Sequence, residues 1–144
     1  MSAPTINIEE NKKLFLDLVG SIERDGIKEL VAFLEKSDFF TAPASTRFHC
    51  SLPGGLALHS LNVYHMFEHK CKSEPFKSIL GDMPEDSRKI ITLLHDVCKT
   101  YMYEIDYRNK KIYSDTGSKK DEKGRFDWAA VEYYTVNDRV PYGH

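Results

Sequence analysis

The sequence predicts a mainly α-helical single domain with a small β-hairpin inserted late in the chain. Three observations carry that expectation. Before residue 100, apolar residues recur at helical spacing in four segments. From Tyr101 onward the texture changes to an aromatic-rich, partly alternating run bounded by turn residues. The chain has 144 residues, 41% hydrophobic and 29% charged. Those values fit one globular domain of about 100–150 residues better than a disordered or fibrous chain. The segments divide as 1–40 for N-terminal helices, 46–100 for the helices with candidate chemistry, 101–136 for the hairpin insertion and 137–144 for the start of a C-terminal part.

Asn7 with Glu10 three positions on is a capping-box-like start. Leu14, Phe15, Leu18, Val19 and Ile22 follow on one face, so a helix is predicted over 8–22. After the Asp25-Gly26 break, Ile27, Leu30, Val31 and Leu34 form the stripe of a second helix, and both read as packing helices. Thr41 to Gly55, with Pro43, Pro53, Gly54 and Gly55, is a loop by composition. A third helix is predicted from Gly55 to about Lys72, followed by a polar connector from Ser73 to Pro84. Pro84 suits a first helical turn, with Asp82 and Glu85 near the positive end of the dipole. This fourth helix carries Ile90, Ile91, Leu93, Leu94 and Val97 and is predicted to run to about Lys99. In the hairpin, Tyr101–Tyr107 is the first strand, Arg108-Asn109-Lys110-Lys111 the turn and Ile112–Ser114 the return. Thr116–Gly124 reads as a solvated loop, with short strands at Phe126–Trp128 and Val131–Val136.

Charge and cysteine usage narrow the function classes. Lys plus Arg is 20 against 22 for Asp plus Glu, a net charge of −2. That balance removes the strongly basic footprint of a general nucleic-acid binder. No apolar run approaches the roughly 18 residues of a membrane span. The three cysteines, Cys50, Cys71 and Cys98, are widely spaced and read as reduced thiols of a cytoplasmic protein. His65 and His69 stand four apart, but a zinc-protease helix needs Glu directly after the first histidine and here that residue is Met66. There is no phosphate-cradling Gly-Lys loop and no nucleophile elbow. The tyrosines at 101, 103, 107, 113, 133 and 134 offer base-stacking surface, but the alternation favours cross-strand pairs.

The candidate chemistry sits on the third and fourth helices. At about 100° per residue, His59 falls in the apolar arc of Leu56, Val63, Met66 and Phe67, whereas His65 and His69 fall on the opposite side. Taken alone, His59 reads as a buried histidine satisfied by a carbonyl or carboxylate. His95, Asp96 and Lys99 share the polar arc of the fourth helix with Arg88 and Thr92, and taken alone they read as a solvent face. The functional alternative places that arc over a cleft, with His59 across from it. An imidazole and a neighbouring carboxylate can meet one divalent ion, and this donor set suits Mn, Fe, Co, Ni or Zn better than Ca or Mg.

These residues carry a resemblance. Phe48-His49-Cys-Ser-Leu-Pro53-Gly54-Gly55-Leu56-Ala-Leu-His59, followed 36 residues after His59 by His95-Asp96 within Leu93-Leu94-His95-Asp96-Val-Cys-Lys99, is similar to the HD superfamily of metal-dependent phosphohydrolases. The closest match is the subgroup of exoribonuclease-like and small HD hydrolases. Pro141-Tyr142-Gly143-His144 is similar to a Gly-His element of these proteins. The resemblance implies an HD-domain helical bundle with the hairpin as an insertion, and His59, His95 and Asp96 as ligands of a divalent transition metal. It implies a catalytic role for Asp96 beside the water and for Lys99 beside a phosphate. Arg47, His49 and His144 would be phosphate or second-ring groups. The family's last ligand is an aspartate on a later helix, which would fall after His144, so the bundle is expected to be truncated at its C-terminus. The apolar surface so left is expected to be exposed or covered by self-association. The implied activity is hydrolysis of a phosphoester in a phosphorylated small molecule, a nucleotide or a short RNA or DNA. The alternative is a non-catalytic nucleotide-binding or regulatory module with an incomplete metal site.

Overall fold

The computed structural model describes residues 5–139; His144 and the Gly-His element that contains it lie outside them. Five α-helices precede a sheet: α1 (Ile8–Gly20), α2 (Ile27–Lys36), α3 (Gly55–Cys71), α4 (Phe76–Leu80) and α5 (Glu85–Leu93), then a 3-10 turn at Val97–Lys99. Strands β1 (Tyr103–Tyr113), β2 (Lys119–Asp121) and β3 (Gly124–Val136) complete the order.

The helical body forms where the apolar stripes meet. Asn7 caps α1, accepting from Glu10 N–H at 3.1 Å and donating to its carboxylate at 3.0 Å. Phe15 and Val19 of α1 and Leu34 of α2 are fully buried, joined by Leu56 and Leu61 of α3 and Leu93 of α5. Phe39 and Phe40 close the cluster, with ring centroids 4.9 and 5.6 Å from Phe15. Each such side chain contributes about 1.5–3 kcal/mol by leaving water, which makes this cluster the main support of the helical body.

The expected mainly α HD-type bundle is corrected by the sheet. Helix accounts for 42% and strand for 20%, so the fold is α+β. The three antiparallel strands lie in the order β1-β3-β2. The turn expected at Arg108–Lys111 is absent, because the chain runs on through it as strand: Arg108 pairs with Val131 and Lys111 with Trp128. That tetrapeptide holds no glycine or proline to break the ladder, and its alternation continues that of the tyrosines before it. The chain instead crosses at 114–118 from β1 to the parallel β2, where a Cβ on Gly117 would stand 2.4 Å from Phe126 N, and reverses at Glu122-Lys123 between β2 and β3. The two short strands expected at 126–128 and 131–136 are one strand of 13 residues.

Two helix boundaries also differ. The connector after α3 contains the short α4, and α5 stops at Leu93 rather than at Lys99. The sheet is anchored at its near end by Tyr101 N–H to Asp38 Oδ1 (2.8 Å), Tyr103 hydroxyl to Ala44 O (3.2 Å) and Asn137 N–H to Met102 O (2.7 Å). At its far end Phe126 is buried between Tyr113 and Trp128, and the Lys111 ammonium lies 4.3 Å from its ring centroid.

Candidate metal centre

Two segments bring the candidate ligands together. The first is the start of α3. Gly54 adopts φ +81°, and a Cβ on Gly55 would stand 1.9 Å from the Cys50 carbonyl oxygen, so the helix starts hard against the preceding loop. His59 follows one turn later, half-buried, while His65 and His69 are exposed as the periodicity required. Met66, assigned to the same arc as His59, is 58% exposed.

The second segment is the break after α5. On a continuous helix, neighbours such as His95 and Asp96 diverge by about 100°. Here Leu94 leaves helical geometry at φ −104°, ψ 0°, and His95 and Asp96 occupy a turn ahead of the 3-10 segment. Ending the helix early frees carbonyls of its last turn. Thr92 O accepts from His95 Nδ1 at 2.7 Å. A carbonyl only accepts, so Nδ1 carries the proton and Nε2 is left with its lone pair turned to the site.

Three donor atoms then converge. His59 Nε2 and His95 Nε2 are 3.3 Å apart, and each lies 3.4 Å from Asp96 Oδ2. These separations exceed the roughly 3.2 Å limit of ordinary N–H···O bonds. They equal the edge of a tetrahedron whose donors stand about 2.0–2.1 Å from a central ion, the usual zinc–imidazole and zinc–carboxylate lengths. Among the described residues this is the one grouping of His, Cys, Asp and Glu with such convergence. Three protein donors would leave at least one position of a four-coordinate ion open.

The carboxylate is held from behind. Asp96 is 2% exposed, and its Oδ2 is 3.1 Å from the ammonium of Lys99, which is 6% exposed. That ammonium also donates to Ala44 O at 3.0 Å. Burial holds the His59 pKa below its ordinary value, outweighing the opposing pull of Asp96, so the neutral form that a ligand needs is favoured. Burial likewise pushes the Tyr103 hydroxyl up, keeping it a neutral donor to Ala44 O.

The other expected residues are distributed around this centre. His49 sets its ring 4.7 Å from that of His59, at the exposed rim. Arg47, two residues earlier, lines a cleft against β3. Lys99 is buried against Asp96 and Ala44 rather than presented to solvent. Sequence reasoning missed Ala44, Thr92 as an acceptor, and Tyr103. Two of these act through backbone carbonyls, which side-chain identity does not reveal, and Thr92 matters only because α5 stops one residue later. No family model, no curated protein and no solved structure matches the chain, so the case for this centre rests on its own residues.

Proposed function

We propose that the protein is a divalent-metal-dependent phosphohydrolase acting on the phosphoester of a nucleotide or short oligonucleotide. The observation that carries the reading is the triangle of His59 Nε2, His95 Nε2 and Asp96 Oδ2 at 3.3–3.4 Å, with the His95 tautomer set by Thr92. The resemblance of the Pro53-Gly54-Gly55 to His59 and His95-Asp96 motifs to HD phosphohydrolases supports the reaction class. The two imidazoles and one carboxylate suit Mn, Fe, Co, Ni or Zn. Such an ion, when bound, supplies Lewis acidity toward a phosphoryl oxygen and acidifies a water molecule.

The chain's own residues do the positioning. Thr92 fixes the ring of His95, and Lys99 fixes the carboxylate of Asp96 while offsetting its charge. Asp96 is placed to orient or accept a proton from a water in the open position. His49, whose ring lies 4.7 Å from that of His59, offers a ring N–H toward the non-bridging oxygens of a phosphate.

The test is metal content together with hydrolysis of a phosphodiester and nucleotide panel. The purified protein is expected to hold about one transition-metal ion per chain and to lose activity with EDTA, regaining it with Mn. Asp96→Asn and His95→Gln, folded by circular dichroism, are expected to lose both metal and turnover. Full metal content in either variant would remove the site.

A second reading is favoured by one contact. Lys99 Nζ already neutralises Asp96 Oδ2 at 3.1 Å, so the carboxylate has a partner without any ion. On that reading the protein is a nucleotide-binding or regulatory module. Ligand binding with no metal-dependent turnover across the panel is its distinguishing result.

A further inference from the structure

Between the loop before α3 and strand β3 lie two adjoining lobes of 440 and 460 Å³, which share Arg47, Arg108 and Tyr133 among their walls. Each is in the range of about 300–1,000 Å³ usual for small-molecule sites. The wall supplied by the loop is pinned from within. Ala44 N–H donates to Cys50 O (3.0 Å), Ser45 hydroxyl to His49 O (2.8 Å) and Phe48 N–H to Ser45 Oγ (3.0 Å). The tip of this closed turn holds Arg47 and Phe48 outward, and Phe48 leaves 73% of its surface to solvent. A large ring held out by a pinned turn adds nothing to the core, so its place calls for another explanation.

Two arginine–aromatic pairs from distant parts of the chain meet in one lobe. The Arg47 guanidinium lies 5.2 Å from the Phe48 ring centroid, and that of Arg108 lies 4.9 Å from the Tyr133 ring centroid. Both pairs line the larger lobe. Each couples a flat π face to a delocalised cation. A nucleobase takes the first and its phosphate the second, and the combination occurs twice.

Carboxylates complete the chemistry. Glu132, which accepts from the Tyr107 hydroxyl at 3.1 Å, lines one lobe, and Asp138 lines the other. They are acceptors for ribose hydroxyls or exocyclic amines. They also balance the two guanidinium charges, so a bare anion gains little here. The cleft adjoins the three-donor centre. The ring of His49 packs against His59 on one side of the turn, and Arg47 is two residues away, within about 7 Å along the backbone.

We propose that this cleft is a binding subsite for single-stranded oligonucleotide, with Phe48 and Tyr133 stacking adjacent bases while Arg47 and Arg108 hold the phosphates. It rests on the phosphohydrolase reading for its purpose and not for its existence, and the test keeps the two apart.

The experiment is fluorescence anisotropy of the full chain with a 5′-fluorescein ribonucleotide tetramer in EDTA, with adenosine monophosphate and inorganic phosphate as competitors. The tetramer is expected to bind. The mononucleotide should displace it only at higher concentration, and phosphate should not displace it at that concentration. Phe48→Ala and Arg108→Gln, both at exposed positions, are each expected to weaken binding by about tenfold or more. His65→Ala, at an exposed position of α3 outside both the cleft and the three-donor group, should leave it within about twofold. Four results overturn the proposal: no binding by the parent chain, unchanged binding by both cleft variants, displacement by phosphate as effective as by mononucleotide, or an equal loss of binding in His65→Ala. Cleft binding in a protein that retains no metal leaves the subsite standing and removes the phosphohydrolase.

Discussion

Asp96 carries more of the molecule than its size suggests. Its side chain is 3% exposed and touches the donors of His59, His95 and Lys99 at 3.1–3.4 Å. Replacing it with alanine strands a buried ammonium, for which the cost is about 3–5 kcal/mol. Removing both charges is cheaper than removing one, because the desolvation penalty of the survivor disappears. The expected order in chemical denaturation is therefore Asp96→Ala least stable, with Asp96→Ala/Lys99→Met recovering a large part of the loss. A double variant no more stable than the single one would mean that Lys99 is not the group left unpaired. Serious destabilisation of Asp96→Ala is also why the isosteric Asp96→Asn is the better probe of metal retention. At this scale the sequence was informative about identity and silent about convergence. The His59 and His95-Asp96 motifs marked the three residues that converge, yet on an unbroken helix His95 and Asp96 point apart. Nothing local to Leu94 announces the break: there is no glycine and no proline, and the apolar spacing continues through Val97. The turn is set by tertiary bonds from Lys99 to Ala44 and from Asp96 to its neighbours, which no local pattern contains.

Among the elements, the helices with explicit start signals were the legible ones. Asn7, Gly26 and Gly54-Gly55 mark the starts of α1, α2 and α3, and each helix begins where its signal stands. The sheet was misjudged because Arg108-Asn109-Lys110-Lys111 is polar enough to resemble a turn, although its residues alternate across an extended ladder. At the far end of that ladder, Asp121 accepts from the Lys111 ammonium at 2.7 Å and from the Tyr113 hydroxyl at 2.8 Å. The bond from Lys111 is the main reason the Asp121 carboxyl is held down at about 2 from an ordinary 3.8. A depressed folded-state pKa means that the contribution is complete above 3.8 and is lost as pH falls toward about 2. Lys111→Met is expected to raise the Asp121 pKa part of the way back, as read by a carboxyl-carbon NMR titration. Tyr113 and the Lys123 amide hold the remainder. An unmoved Asp121 titration in that variant would show that the lysine is not the cause.

For the whole molecule, stability is unevenly distributed. The helical body shares one buried cluster built from α1, α2, α3 and α5. The outer sheet has a satellite around Phe126, flanked by Tyr113 and Trp128, which are 43% and 51% exposed. Only the three-residue β2 adds a third strand to the β1–β3 ladder, and a ladder that is otherwise two-stranded is marginal without a packed face. Native-state hydrogen exchange is therefore expected to be slowest in α3 and α5 and faster by orders of magnitude in the ladder between Asn109 and Trp128. Uniform protection across both regions would mean that the outer sheet unfolds only with the body. The helical segments were legible, but the hairpin expected to turn at 108–111 is instead part of a three-stranded sheet, since the length of a strand ladder depends on its partner strand. The cleft against β3 was invisible for a related reason: its walls are 47–48, 108 and 133, which only the completed fold makes neighbours.

Lys99 also ties the candidate centre to the turn that lines the cleft. One ammonium grips both Asp96, a donor of the centre, and Ala44, the carbonyl where the pinned turn begins. An ion held by the imidazoles would draw on the same carboxylate oxygen and repel the same ammonium, and so would act on the turn that displays Arg47 and Phe48. Linkage then runs both ways: whatever factor an ion imposes on affinity in the cleft, a ligand in the cleft imposes on affinity for the ion. A lysine buried in the interior thus acts as a lever between two equilibria, and its worth lies as much in correlating them as in holding the fold.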